Sequence, residues 1–311
     1  MKKLWLITFV VLLLSCQDEV VTDGDCLILP DNSHVMWPGS TTYPSEGQTV
    51  FWAEYAGPFV HSPCFNPNNS NEFIYHAGNG VHKHNLVTKE DVIIYGGPMW
   101  SRAYWGKGDL MTFSLEYQIY TIKSDGTDLN QLTFSGYNHE PSWDYSGTKI
   151  IYSTGIGSLN SSIISAAGTI LYTIPDVFYF LDWSMEPNKI LYTQNGAFYE
   201  SDSLFQDRTK IFDNMPFSGL IDIAWLNEQE ILWSANGNIY IANPTNQENN
   251  LFKQGCFGYS YETFSVSPDK QKIITTVQRL QFEEPDRLLI YRELHIMNTD
   301  GSGEQVIPLP Q

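Results

Sequence analysis

Two histidines and a glutamate occupy equivalent places in this chain. His61, His139 and Glu262 each stand four residues before a large apolar residue: Phe65, Trp143 and Val266, respectively. Tyr179 holds the same place before Trp183, and Gly96 and Ile221 hold it before Trp100 and Trp225. Imidazole and carboxylate both ligate divalent first-row metals, so His61, His139 and Glu262 brought to one point form a candidate metal site. With Tyr179 they form a candidate site for a polar ligand. A second pair, His82 and His84, lies two residues apart and therefore on one face of a strand, where it either chelates a metal or is a chance pair on an exposed edge. Other catalytic fingerprints are missing. The chain has no G-x-S-x-G elbow, no G-x-x-x-x-G-K-[ST] phosphate loop, no H-E-x-x-H and no paired C-x-x-C. These absences point away from an enzyme, with a divalent metal as the one cofactor left open.

Such residues converge only if the segments that carry them repeat. Gln118 to Thr154 shows the unit: short alternating runs (QIYTIK, then KIIYST) separated by turns at Asp125-Gly126 and Ser146-Gly147, with no helical period. Glycine accepts the positive φ such turns require. Leu294 to Pro308 repeats the first half with Asp300-Gly301 in the turn. A Pro-Ser-Trp or related segment followed by Lys-Ile recurs at Trp143, Trp183 and Val266, and one residue shorter at Trp225. Taking Phe65, Trp100, Trp143, Trp183, Trp225 and Val266 as anchors, the spacings are 35, 43, 40, 42 and 41 residues. A period near forty built of short strands is the signature of propeller blades.

The segments SVSPDKQKI, EPSWDYSGTKIIYST and IYTIKSDGTDLNQLT resemble the repeats of TolB-type β-propellers. The resemblance implies an all-β fold, a six-bladed propeller of four-stranded antiparallel blades, over about residues 49–311. Blades are expected near 58–95, 96–134, 137–175, 177–213, 219–253 and 259–311. Thr49 to Tyr55 is assigned to the last blade as a closing strand, and a degenerate seventh blade around Tyr43 remains the alternative. In such a ring the last blade adjoins the first, so His61 and Glu262 become neighbours at the channel mouth, with His139 across the bore. Solvated polar residues at a wet channel mouth are the plainer account of the same three. Metal-dependent oligogalacturonate lyases, which resemble TolB-type propellers and use channel histidines, supply the enzymatic analogy. Trp143, Trp183 and Trp225 are expected to pack blade on blade, whereas Trp52, Trp105 and the Tyr259–Tyr261 pair are candidates for stacking on sugar rings.

The N-terminus reads as a leader. Lys2-Lys3, an apolar run to Leu14 and Leu13-Leu14-Ser15-Cys16 resemble a lipoprotein signal peptide (residues 1–15) with Cys16 as the lipidated residue. Gln17-Asp18-Glu19 resembles the surface-export signal of Bacteroidetes lipoproteins. Residues 16–48, polar and turn-rich, read as a tether, with no room for the α/β domain that precedes the propeller in TolB. The expected location is the outer membrane, facing the periplasm or the cell surface. The chain holds 17 basic and 35 acidic residues, net −18, a surface that repels nucleic acid. With Cys16 acylated, Cys26, Cys64 and Cys256 remain; a Cys64–Cys256 disulfide could staple the first blade to the last. Together these features describe a membrane-anchored extracytoplasmic propeller acting as a binding or scaffold protein for an envelope protein or a glycan. A metal-dependent, sugar-acting enzyme with its site at the channel mouth is the alternative.

Overall fold

The computed structural model describes residues 21–97, 101–155, 160–174, 179–185, 189–194, 196–202, 205–213 and 220–310. Residues 1–20, which include the expected leader and Cys16, and Trp100 lie outside them. All the described secondary structure is strand, arranged in six blade sheets that follow one another in sequence. The innermost strands are His61–Asn66, Tyr104–Trp105, Asn138–Trp143, Tyr179–Met185, Leu220–Trp225 and Tyr259–Val266. Five sheets have four antiparallel strands, and the sixth carries two more from the N-terminal region. The first and last blades meet directly: Ser62 N donates to Thr263 Oγ1 at 3.1 Å and Phe65 N to Ser265 Oγ at 3.0 Å.

The ring is held by its anchors. Trp143, Trp183 and Trp225 are buried, as expected, Phe65 is buried too, and each packs back on the blade before it. Trp143, for example, lies against Ile119 and Leu132 of the second blade. Such a ring removes well over 150 Å² from water, roughly 4 kcal/mol of transfer free energy at each joint. The second blade corrects the sequence reading. Its anchor is Trp105, which pairs with Met111 as Trp143 pairs with Ile150 and packs on Ile74, Val81 and Ile94. Trp105 is 7% exposed and serves as a joint between blades. Gly126 of the Asp-Gly turn has φ +84°, and a Cβ there would sit 2.9 Å from Ile94 O of the neighbouring blade. Glycine is therefore required twice over, for the turn and for the close approach.

Thr49–Tyr55 does join the last blade's sheet, but not as the strand that completes it. The fourth strand there is Gln305–Val306, so that blade is complete without help from the N-terminus. Its middle strands, Lys272–Glu283 and Arg287–Asn298, run on beyond the blade, and Thr49–Tyr55 pairs in parallel with that prolongation at Arg287 to Ile290. Ser33–Met36 adds a further parallel strand, and Val21–Asp23 pairs with Cys26–Ile28. The stretch expected as a tether is thus folded from residue 21 onward. Leu27, Phe51, Ala53, Leu280, Leu288 and Ile290 form a small core beneath it. The disulfide follows from this: Cys26 pairs with Cys256, whereas Cys64 is free. Cys64 sits on an innermost strand beside the channel, and its thiol accepts from Trp105 N at 3.4 Å.

Candidate functional site

An innermost propeller strand has one unpaired edge, which faces the channel, and its exposed N–H groups need acceptors. In this chain side chains of neighbouring blades supply them. Cys64 takes the N–H of Trp105, Asp182 that of Trp225 at 2.8 Å, and Ser265 that of Phe65. Each acceptor stands one residue before its own blade's anchor, so the serine of the Pro-Ser-Trp signature has an architectural counterpart in every one of these contacts. Around the same place the inner strands are bulged. Register shifts fall between His61 and Cys64, His139 and Ser142, Tyr179 and Leu181, Leu220 and Asp222, and Tyr261 and Phe264. Pro63 and Pro141, which have no N–H to lose, occupy two of the bulges. Bulges re-aim side chains, and here they do so at the channel.

The residues three before the anchors in the second and fifth blades are Arg102 and Asp222, and blades two and five face each other across a ring of six. Their side chains meet in a two-pronged ion pair in which Arg102 Nη1 donates to Asp222 Oδ1 at 2.7 Å and Nη2 to Oδ2. Arg102 also donates to Phe264 O at 3.0 Å, and Asp222 accepts from Phe264 N at 2.9 Å and Ile223 N at 3.0 Å. The pair is largely buried, and Asp222 holds the Arg102 guanidinium protonated well above its ordinary range against the opposing effect of burial. A fork-to-fork contact of this kind is rigid and charge-neutral. It forms a crossbar through the bore.

Beyond the crossbar, towards the ends of the inner strands, lies a cavity of about 470 Å³ lined from all six blades. Its walls include Phe65, Trp105, Trp143, Trp225 and Val266, and Asp182 enters from the fourth blade. Lys107 stands at the rim with its ammonium 4.0 Å above the Tyr145 ring. Lys270 reaches Trp225 O at 3.2 Å, and burial lowers its pKa while Asp182 opposes the shift. The volume falls in the usual range for small-molecule sites.

The expected site residues lie elsewhere. His61, His139, Tyr179 and Glu262 are not among the residues lining this cavity. His61, His139 and Tyr179 begin or nearly begin their strands, Glu262 lies midway along its own, and all four precede the cavity-lining residues of those strands. The Tyr179 side chain lies outside the described part of the structure. His61 and Glu262 do come into one neighbourhood, through the joint between the last blade and the first. Glu262 accepts from Arg292 Nη2 at 3.1 Å, Arg292 lies 4.1 Å over the Phe59 ring, and Phe59 contacts His61 edge-on at 5.1 Å. Both polar ends are nevertheless engaged. His61 Nε2 shares a proton with His76 Nδ1 at 2.8 Å, and His61 Nδ1 meets Ser62 Oγ at 2.8 Å. Burial, then His76 and then Arg292 and Arg102, pull the His61 pKa down to about 3, and burial pulls that of His76 to about 4. Burial raises the Glu262 pKa, and Arg292 counters it. Among the described residues no group of three or more His, Cys, Asp or Glu side chains comes together as a metal site would. The His61–His139–Glu262 metal centre is therefore not formed: His61 is held by His76, Glu262 by Arg292, and half-buried His139 by neither.

Two other clusters are architectural. His82 and His84 do share a face, but both Nδ1 atoms bond Asp91, at 2.7 and 3.0 Å, and Tyr75 bonds it too. Tyr259 and Tyr261 bond Glu304 within the last blade, and Glu304, which also receives His295, is tied to the fifth blade by Lys253. Trp52 remains 54% exposed. Sequence reasoning missed Arg102, Asp222 and Lys270. The signal for the first was the alternative anchor Trp105, which places Arg102 at the crossbar position.

No family model matches the chain, and no curated protein matches it. Solved structures do match in fold. A gluconolactonase from Xanthomonas campestris superposes with a TM-score of 0.54 at 9% identity, over 70% of this chain and 82% of that one. An oligogalacturonate lyase in complex with manganese gives 0.50 at 9%, over 80% and 77%. The C-terminal WD40 domain of Sif2 gives 0.50 at 11%, over 83% and 98%. At such identities the likeness shows the propeller fold alone.

Proposed function

We propose that the protein is a membrane-anchored, extracytoplasmic β-propeller that works as a binding module, held through an acylated Cys16 at the outer membrane. Its ligand, a small molecule or the end of a glycan, would be received in the cavity beyond the Arg102–Asp222 crossbar. The observation that carries this reading is the cavity itself: every blade contributes to it, and the crossbar gives it a floor. A rigid ring that presents a shaped, mostly apolar recess with a few polar groups is what a selective binding site needs. Envelope proteins remain candidate partners for the outer surface of the ring.

The enzymatic alternative rested on His61, His139 and Glu262. The lyase neighbour is a manganese complex; among the described residues of this chain His61 is bonded to His76 and Glu262 to Arg292, and with His139 they form no group of metal donors.

A thermal-shift screen of small metabolites and oligosaccharides tests the binding reading, with Ala224→Phe as a variant that fills the cavity. The expected result is a ligand that raises the melting temperature of the native chain and leaves the filled variant unmoved. A ligand that stabilises both equally would remove the cavity from the function. Mass spectrometry of the mature N-terminus checks the anchor: acyl chains on Cys16 are expected, and an unmodified later start refutes it.

A further inference from the structure

The third blade ends in a sheet edge unlike the others. Between Lys149 and Asp176 the chain runs 26 residues without a charge or a histidine, in a sequence that is 17% charged. Burial accounts for the first part of that run, since Ile150, Ile151, Tyr152, Ile163 and Ile164 are core residues. It does not account for the rest. The run continues through a turn into the blade's outer strand, Ile170–Ile174, where Ile170, Leu171 and Tyr172 are 66%, 40% and 47% exposed. The fifth blade shows the contrast. Its middle strands also lie in an uncharged run, residues 231–247, but its outer strand then begins and ends on charges, Glu248 and Lys253. The fourth strands of the other blades are two residues long (Asn130–Gln131 and Gln305–Val306) or hold Asp91 or Lys210. Short strands and charges are how sheet edges avoid pairing with other chains. Ile170–Ile174 has neither device, and among the described residues no strand pairs with its outer side. The register shift at Leu171 does not set it apart, because the outer strands of the first, fourth and fifth blades carry the same shift.

We propose that this edge is where a second copy of the chain docks, with the two Ile170–Ile174 strands running antiparallel across a two-fold axis near Tyr172. The charge selects an identical partner. Two copies at net −18 repel one another, so contact between them has to fall where charge is absent, and this edge brings no like charges together. A partner of opposite charge would be drawn to the acidic faces instead. The geometry agrees, because antiparallel pairing of an edge with its own copy uses one surface twice and closes at two subunits. Interface centres are likewise depleted of charge and enriched in tyrosine. Five residues a side is well below the roughly 20–30 of a standard interface, so the dimer is reversible, populated at ~100 µM and lost at ~1 µM.

Sedimentation equilibrium of the full chain between those concentrations tests the proposal, with amide hydrogen exchange to locate the contact. The expected result is a mass that rises towards the dimer, more so in added salt, which screens the repulsion between copies. Exchange at residues 170–174 should slow at the higher concentration. Tyr172→Lys sets two lysines near the axis and should weaken the dimer about tenfold or more. Leu171→Lys carries the same comparison if Tyr172→Lys does not fold. Leu251→Lys, an equally exposed change on the fifth blade's outer strand, should leave the dimer as it is. A chain that stays monomeric at ~100 µM overturns the proposal, whatever else the edge then binds. A dimer that both third-blade variants leave intact, that Leu251→Lys weakens equally, or that protects a segment other than 170–174 overturns it as well.

Discussion

The His61–His76 pair makes the joint between the last blade and the first sensitive to acid, and the sign and size of the effect follow from its geometry. The two rings share one proton across 2.8 Å, and His61 Nδ1 is bonded to Ser62. Burial disfavours a further proton on either ring, and His76, Arg292 and Arg102 add charge repulsion at His61. The native pair therefore stays neutral down to about pH 4, with His76 near 4 and His61 near 3. In the unfolded chain each imidazole titrates near 6.5. Below that value the unfolded state takes up protons that the native state refuses, so stability falls as the pH falls. Each pH unit in that window costs about 1.4 kcal/mol per ring, or ~2 kcal/mol each between pH 6.5 and 5. Two rings give roughly 4 kcal/mol, a large part of a typical folding free energy.

The assay is guanidinium unfolding at pH 7 and pH 5 of the native chain and of His76→Asn. Asparagine places a neutral polar group near the position of Nδ1, so His61 keeps a partner. The variant should lose about 2 kcal/mol less than the native chain over the interval. His295 works in the opposite direction: Glu293 and Glu304 raise its pKa against the effect of burial, so it favours the folded state at low pH. That contribution is common to both proteins and cancels in the comparison. An unchanged pH dependence in His76→Asn would falsify the account of a neutral, proton-sharing pair.

Asp222→Asn should destabilise the protein by about 3–5 kcal/mol, because it leaves the Arg102 guanidinium buried without a counterion. Arg102→Met combined with Asp222→Leu removes both charges and should recover most of the loss; denaturant midpoints distinguish the two, and a harmless Asp222→Asn would sink the crossbar. Cys26→Ser should cost about 2–4 kcal/mol by freeing the N-terminal strands from the last blade. Thiol counting under non-reducing conditions checks the pairing: Cys64→Ser should leave the disulfide intact, and a free Cys26 in the native chain would refute it.

The ring was legible because its determinants are periodic and local. Alternating runs, Asp-Gly turns and anchors near forty residues apart need no partner to be recognised. One choice went astray in Gly-Gly-Pro-Met-Trp-Ser-Arg-Ala-Tyr-Trp, where two tryptophans stand five residues apart. Trp105 gives spacings of 40 and 38 to its neighbouring anchors, against 35 and 43 for Trp100, so evenness of period would have selected it. The shift of five residues put Gly96 at the channel in place of Ser101 and kept Arg102 out of view. The N-terminal strands were illegible for a different reason. Leu27, Val35 and Phe51 bury themselves only against Leu280, Leu288 and Ile290, more than two hundred residues away. Read alone, that stretch shows only its polar residues and turns.

The candidate site was harder still, and the cause lies in the architecture. An inner strand exposes its N–H groups to the bore, and nearby polar side chains are drawn into serving them. Asp182, Ser265 and Cys64 cap anchors of the next blade, Thr263 caps Ser62, and Asp222 serves both an arginine and two amides. A polar residue at the channel is therefore no evidence of a ligand until its bonds have been counted, and the sequence gives residue types without bonds. The count reverses the ranking that residue chemistry suggests. Histidine and glutamate, the better metal donors by type, are engaged within the fold: His61 by His76 and Ser62, and Glu262 by Arg292.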